Sequence, residues 1–139
     1  MKVQLHLVND AVHFEGTAPS SKVKVHIDGP PDIGGQELGV RPMEMVLLAL
    51  ASCSSLDLVT ILKKQRQEIT KFSVDTEGER RSEVPNIFTK IHLTFNLEGK
   101  IDPEKAEKAA ELAVKKYCSV HDMLAAGGIE ITYSLNINS

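Results

Sequence analysis

The sequence has few aromatic residues and no long apolar run. Aromatic residues make up 4% of the 139 residues and Trp is absent, so a hydrophobic core must rest on Val, Ile, Leu and Ala. The longest apolar stretch, residues 45–51, is too short to span a bilayer, which needs about 20 residues. The chain opens with alternating polar and apolar residues, so no secretory leader is expected. These absences predict a soluble, cytoplasmic protein with no membrane partner.

Positive charge and cysteine are also scarce. The formal net charge of -3 offers no broad positive field for nucleic acid, so no nucleic-acid partner is expected. The two cysteines, Cys53 and Cys118, lie far apart, and neither they nor the scattered histidines have the spacing of metal ligands. We therefore expect no metal site and no cofactor. In a reducing compartment such a pair of cysteines is either two small buried hydrophobes or a redox couple.

The first third of the chain predicts strands followed by a long loop. Residues 3–8 and 22–27 alternate between polar and apolar, as strands with one buried face do, and residues 12–14 indicate a further short strand. Residues 28–42 are dense in Gly and Pro and predict a loop. Long ordered loops in small domains are often functional. No linker or repeat interrupts the chain, so residues 1–139 are predicted to form one domain.

A long apolar helix is predicted after this loop. Pro42 suits a first helical turn, and the helical pattern continues over residues 43–69. Residues 45–62 are apolar almost all round, and a helix of that kind must be buried on most faces. One chain of this size can hardly cover such a helix alone. A second subunit could bury the remaining apolar faces of this helix, so the sequence predicts a homodimer.

The remainder of the chain predicts a hairpin, a helix and a final strand. Residues 72–77 and 87–97 form the hairpin, and residues 129–137 form the last strand. Asp102 is the predicted N-cap of a second helix that begins at Pro103 and runs to about residue 117. This order of elements predicts an α+β fold in which helices, including a long buried central helix, pack against an antiparallel sheet.

Cys53 and Cys118 are the candidate reactive residues. Cys53 lies inside the apolar helix among small residues, which permit close helix packing or leave room for a small substrate. Free cysteine is often simply buried, and a reactive thiolate needs a positive neighbour. Cys118 follows the second predicted helix and is either a mobile resolving thiol or a small side chain that packs under the next turn. His121 can assist proton transfer there, although a single His near a helix end is more often a capping or surface residue.

Three charged residues accompany the apolar helix. Glu44 lies near its N-terminus, where a carboxylate interacts favourably with the helix dipole. Glu44 and Cys53 are nine positions apart, which is about half a turn of net rotation, so on one straight helix they point to opposite sides. Asp57 is one turn after Cys53 and is interpreted as a hydrogen-bonded polar group at a helix or dimer contact. Arg41 is the cation nominated to pair with Glu44 or to face a thiolate across an interface.

Two stretches of the chain resemble the OsmC/Ohr family. GVRPMEMVLLALASCSSLDLV (residues 39–59) is similar to its central-helix motif, in which Pro and Glu precede a run of small residues ending in Cys. KYCSVHDML (residues 116–124) is similar to its second motif, a helix end with Tyr-Cys and a short turn. The residue pattern of the first stretch is closer to that of the OsmC-like subgroup than to that of the organic hydroperoxide resistance proteins. With the hairpin and second helix between the motifs, the resemblance covers nearly the whole chain.

The resemblance implies an OsmC-like fold, an intertwined homodimer and a thiol peroxidase cycle. Cys53 would attack an organic hydroperoxide, or hydrogen peroxide, and become a sulfenic acid, and Cys118 would condense with it to a disulfide. An external dithiol reductant would then restore both thiols. The resemblance also implies a Glu ten positions before the Cys and an activating Arg in the N-terminal strands. Here Glu44 is nine before Cys53 and residues 1–40 contain no Arg, so Arg41 is the hypothetical replacement.

Two other functions stay open from the sequence. The first is a binding protein that holds an apolar ligand in a dimer-interface cavity and carries its cysteines without using them. The second is a redox-sensing or disulfide-exchange protein whose partners are protein thiols instead of peroxides. Retained ligand binding without thiol reactivity distinguishes the first from the peroxidase. Disulfide formation with a protein partner and little peroxide turnover distinguishes the second.

Overall fold

A computed structural model describes all of residues 1–139 and contains two compact units, Met1–Val46 and Leu47–Ser139. The elements, in chain order, are β1 (Gln4–Leu7), β2 (Phe14–Thr17), β3 (Val25–Ile27), α1 (Pro42–Lys64), β4 (Glu68–Arg80), β5 (Phe88–Lys100), α2 (Pro103–Glu111), α3 (Ser119–Ala126) and β6 (Glu130–Asn138).

The first unit is a small antiparallel sheet in the order β1-β2-β3. All three strands are shorter than or displaced from the predicted segments, and the middle one begins at Phe14, later than residues 12–14 had indicated. One face of this sheet presents apolar side chains to solvent. Leu5, Gly16 and Val25 are cross-strand neighbours on it, and both Leu5 and Val25 are exposed. An open groove of about 620 Å³ follows this face.

The predicted loop of residues 28–42 is confirmed as far as α1, with one short 3₁₀ turn at Pro31–Ile33. Asp28 orders this loop. Its buried carboxylate accepts backbone N–H groups from Gly29 at 2.8 Å, Gln36 at 3.0 Å and Leu38 at 3.2 Å. The bond from Gln36 is the largest of the causes that hold the pKa of Asp28 below its ordinary value of 3.8. An ionised carboxylate therefore takes the place of regular backbone hydrogen bonding in this segment.

The second unit contains a sheet in the order β4-β5-β6. β4 and β5 form the predicted antiparallel hairpin, whereas β6 pairs with β5 in parallel. The antiparallel prediction thus holds for the hairpin and not for β6, because the chain crosses through α2 and α3 before it returns to the sheet, as a parallel pair requires. The inward positions of β5 are fully buried apolar residues: Ile91, Leu93, Phe95 and Leu97. Helical residues complete this core: Leu50, Leu58, Leu62, Ala106, Ala109, Ala110, Ala113 and Val114.

Within one chain, α1 buries a single face. Its buried residues recur every fourth position: Leu50, Ser54, Leu58 and Leu62. On another face Leu48 is 53% exposed and Leu56 is 72% exposed. The helix is long and apolar enough to cross a bilayer by length and composition, and its buried stripe is that of a core helix. A second apolar face is thus left without cover in the single chain.

The helix α1 ends at Lys64, five residues before the predicted end. Arg66 takes a left-handed conformation with a φ of 60°. Its N–H donates to the carbonyl of Lys63 at 3.0 Å, and the N–H of Gln67 donates to the carbonyl of Leu62 at 2.9 Å. This pair of bonds is a Schellman motif, which usually has Gly at the left-handed position. Because Arg stands there, the sequence pattern did not reveal the helix end.

The start of α2 is as predicted, but its second half is not α-helical. Asp102 caps the helix, since its side chain accepts N–H groups from Glu104 at 2.9 Å and Lys105 at 3.5 Å, and Pro103 follows in the first turn. From Leu112 to Tyr117 the chain forms a π-helical turn. Such wider turns are rare and occur frequently at functional sites. This one ends directly at Cys118.

Candidate thiol site

Cys53 lies at the border of the buried stripe of α1. Its side chain is half-buried, its neighbour Ser54 is fully buried, and Ser52 on the other side is exposed. The hydroxyl of Ser52 donates to the carbonyl of Ala49 at 3.2 Å, an ordinary bond for a helical serine. Cys53 therefore combines a partly accessible sulfur with attachment to a rigid helix.

Cys118 is held between the π-helical turn and α3. It is 1% exposed, and its extended backbone (φ -77°, ψ 105°) makes it the N-cap residue of α3. The Cys118 sulfur accepts the backbone N–H of His121 at 3.3 Å, as a serine or aspartate oxygen does at most helix starts. The prediction placed Cys118 at an element boundary, and the structure adds that its sulfur is part of that boundary.

The structure brings the two thiols together inside the second unit. Burial raises the pKa of Cys118 above its ordinary value of 9.0, and the neighbouring Cys53 adds to this rise. The Ser54 hydroxyl and the His121 amide oppose this rise, because both are nearby donors that favour the thiolate over the thiol. Both cysteines are free thiols. Cys118 is accordingly a protonated, protected thiol beside a more accessible one.

His121 contacts the thiol through its backbone and directs its ring elsewhere. The imidazole Nδ1 lies 3.1 Å from a carboxylate oxygen of Asp122, and the His121 side chain is only 13% exposed. The ring is thus engaged by its neighbour in sequence, and the amide group is what touches sulfur.

Arg41 and Glu44 lie together in the first unit, at the start of α1. A carboxylate oxygen of Glu44 accepts the backbone N–H of Arg41 at 2.8 Å. This is the reverse half of a capping box, in which the third helical residue reaches back to the N-cap. Glu44 therefore has the helix-start role that its position indicated, and the Arg41 side chain is exposed. The two cysteines lie in the second unit, with Asp57 half-buried one turn beyond Cys53.

Ser54 is the site residue that the sequence analysis missed. It is 0% exposed, and its hydroxyl makes no hydrogen bond although it lies beside the Cys118 thiol. A signal for it exists in the sequence: Leu50, Leu58 and Leu62 share its four-residue spacing, so Ser54 interrupts a leucine stripe. No group of three or more His, Cys, Asp or Glu side chains is arranged to hold a metal ion.

A family model matches the chain where this site lies. The model describes the OsmC-like protein family and matches residues 34–134, a span that includes both cysteines. Protein YhfA of Escherichia coli (strain K12) is 41% identical to the chain over 97 residues, which are 69% of this chain and 72% of YhfA. The chain belongs to the OsmC-like family, and the resemblance read from its two cysteine motifs is confirmed.

Solved structures agree with this assignment. A protein from Aquifex aeolicus VF5 is 29% identical, with a TM-score of 0.80 over 99% of this chain and 97% of its own. The organic hydroperoxide resistance protein OhrB of Bacillus subtilis is 21% identical, with a TM-score of 0.61 over 97% of this chain and 96% of its own, a likeness of fold alone. The predicted α+β, OsmC-like fold is confirmed.

Proposed function

We propose that this protein is a cysteine-based peroxidase that reduces organic hydroperoxides, and hydrogen peroxide more slowly. The observation that carries the proposal is the pairing of a half-buried Cys53 with a buried Cys118 in one unit. A disulfide-forming cycle requires two free thiols that lie close together, and this chain brings them together from distant parts of its sequence. The fold likeness to a protein named for organic hydroperoxide resistance supports the same substrate class.

The first step uses Cys53. Its thiolate attacks one oxygen of the hydroperoxide, an S–O bond forms, the O–O bond breaks, and the alcohol leaves after taking up a proton. Cys53 is thereby oxidised to a sulfenic acid. Cys118, at 1% exposure, is shielded from a hydroperoxide in solvent, whereas Cys53 is partly accessible. This difference in access supports the attacking role proposed for Cys53.

The second step uses Cys118. Its sulfur attacks the sulfur of the Cys53 sulfenic acid, an S–S bond forms, the S–O bond breaks, and the Cys118 proton joins the departing hydroxide as water. An external dithiol then reduces the disulfide to two thiols and itself becomes a disulfide. Because burial raises the pKa of Cys118, this thiol remains protonated and inert until a sulfenic acid stands next to it.

Arg41 and Glu44 are proposed to support the first step. The exposed Arg41 side chain is available to favour a thiolate across the proposed subunit interface, and the bond from its N–H to Glu44 fixes the backbone from which it projects. A cation near a thiol lowers the pKa of that thiol and increases its thiolate fraction. Arg41→Lys is expected to retain part of the rate of Cys53 oxidation, and Arg41→Ala to lose more.

The working form is proposed to be a cytoplasmic homodimer. The exposed face of α1 that contains Leu48 and Leu56 is apolar, and a second copy of the chain is the proposed cover. Two reduced thiols without a disulfide framework suit the reducing cytoplasm.

The peroxidase proposal is tested by intact mass and thiol count after one equivalent of cumene hydroperoxide, with tert-butyl hydroperoxide and hydrogen peroxide compared. Wild type is expected to lose two hydrogens per chain. Cys118→Ser should gain one oxygen, trapped as a sulfenic acid adduct, and Cys53→Ser should stay unmodified. Thiols that remain intact in wild type after minutes of exposure would contradict the proposal.

One observation favours the apolar-ligand function as a second candidate. The groove of about 620 Å³ in the first unit is lined largely by apolar side chains, including Leu5, Val25 and Ile27. If this is the functional site, a fluorescent fatty acid binds wild type and Cys53→Ser equally, and Val25→Asp abolishes binding. Binding that is absent in wild type excludes the candidate. Mixed disulfides with a protein thiol, without peroxide turnover, indicate the redox-exchange function instead.

A further inference from the structure

Ser54 is an unusual serine for a helix interior. Helical Ser and Thr hydroxyls commonly donate to a carbonyl three or four residues earlier, as Ser52 does to Ala49 and Thr60 does to Leu56 at 2.7 Å. The Ser54 hydroxyl makes no such bond, although its residue is 0% exposed. A buried polar group without a partner reduces stability, so its presence in a native core calls for an explanation.

The neighbour of this hydroxyl is the Cys118 thiol. Ser54 directly follows Cys53 in α1, and its side chain lies beside the Cys118 sulfur without meeting hydrogen-bond geometry in the reduced protein. The Cys118 sulfur already accepts the His121 N–H at 3.3 Å. A neutral thiol is a weak acceptor, whereas a thiolate is a strong one. The unused donor of Ser54 therefore faces an atom that needs it only when that atom becomes charged.

We propose that Ser54 is a positioning residue that donates its hydroxyl hydrogen to the Cys118 sulfur as this sulfur becomes a thiolate. With the His121 N–H, it forms a two-donor cradle for negative charge on Cys118. This inference rests on the proposed peroxidase cycle for its functional meaning. In that cycle, the cradle acts when Cys118 attacks the Cys53 sulfenic acid and again when Cys118 leaves as a thiolate during reduction of the disulfide.

The two-donor cradle would offset the effect of burial on the Cys118 thiolate. Burial protects Cys118 from solvent oxidants, but the same burial disfavours the thiolate that must attack Cys53. A donor whose bond strengthens as charge develops lowers the barrier to the attack, while burial keeps the resting Cys118 thiol protonated. The proton balance of the step is unchanged: Cys118 gives its proton to the hydroxide that leaves Cys53, and Ser54 keeps its own.

The first test needs no peroxide. Cys53→Ala leaves Cys118 as the only thiol, and its ionisation is followed by thiolate absorbance at 240 nm, corrected for tyrosine. Adding Ser54→Ala is expected to move this ionisation to higher pH, since a donor to the charged form is lost. Adding Ser52→Ala, the matched control with an exposed hydroxyl, should leave it in place. Equal titrations with and without the Ser54 hydroxyl would overturn the inference.

The second test follows the cycle in the otherwise native chain. Ser54→Ala is expected to form the Cys53 sulfenic acid at the wild-type rate and the disulfide at least about tenfold more slowly, the effect of one hydrogen bond to a charged group. Its Tm should equal or exceed that of wild type, because an unpaired hydroxyl is removed. A variant that loses stability and slows both steps equally shows a packing role and overturns the inference. If wild type forms no disulfide, the peroxidase proposal fails, and the titration still decides the role of Ser54.

Discussion

Leu56 offers a direct measure of how much the proposed second subunit contributes to stability. It is 72% exposed in the single chain, in the middle of the most apolar helix of the protein. Full burial of a leucine side chain stabilises by about 1.5–3 kcal/mol, so covering the exposed part of Leu56 is worth about 1–2 kcal/mol. A two-fold interface contains the residue twice, which gives about 2–4 kcal/mol per dimer.

The perturbation is Leu56→Gln, which keeps helix propensity and removes the apolar surface. The dissociation constant of the dimer is expected to rise roughly 30- to 700-fold, as each 1.4 kcal/mol corresponds to a factor of ten. Leu48→Gln should show a smaller effect, because Leu48 is 53% exposed. The assay is sedimentation velocity over a dilution series, with fluorescence detection at the lowest concentrations.

Leu58→Ala is the matched control for this experiment. Leu58 is fully buried within the single chain, so its truncation should lower the free energy of unfolding by about 2–5 kcal/mol without a specific effect on association of the folded chains. A dissociation constant that Leu56→Gln leaves unchanged refutes the reasoning. So does a wild-type protein that remains monomeric at micromolar concentration.

Two further predictions concern pH. The native pKa of Asp28 is lowered, so its contribution to stability is present above pH 3.8 and is lost as the pH falls below that value. Asp28→Asn should therefore have a lower free energy of unfolding than wild type at neutral pH and should lack the part of the acid-induced loss that comes from Asp28. Identical acid-unfolding curves for the two proteins would contradict this role of Asp28. The Tyr133 hydroxyl donates to Glu111 at 2.8 Å and to Glu107 at 3.2 Å. Burial, and after it the bond to Glu111, raises the pKa of Tyr133 above its ordinary value of 10.0. The contribution of Tyr133 to stability is therefore present below pH 10.0 and is lost as the pH rises further. Tyr133→Phe should cost about 1 kcal/mol in urea unfolding at pH 7 and should lose less stability than wild type between pH 10 and 11, whereas parallel losses in the two proteins would contradict this.

Local chemistry explains which elements could be predicted from the sequence. The capped start at Asp102 and Pro103 was predicted because a cap depends on neighbouring residues alone. The end of α1 was missed because Arg66 adopts a conformation that the sequence marks only when Gly or Asn is present. The parallel pairing of β6 was also missed, since strand direction depends on the path of the chain between strands and leaves the alternating pattern unchanged.

In the candidate site, too, features that depend on local sequence could be predicted, and features that depend on packing could not. Each cysteine could be nominated from its motif, but their adjacency is a product of packing between segments far apart in sequence. Ser54 was interpreted as one of several small residues around Cys53, because a serine side chain fits both a packing role and a hydrogen-bonding role. Only burial and the absence of a partner distinguish it from Ser52.

The sulfur of Cys118 also gives the protein a built-in spectroscopic probe. The amide hydrogen of His121 points at this sulfur, so its NMR chemical shift and its exchange with solvent depend on the electron density there. A thiol, a thiolate and a disulfide differ in that density. The His121 cross-peak should therefore occupy a distinct position in each state, so the proposed thiol cycle can be followed in real time without a dye, a coupled reductase or a mutation.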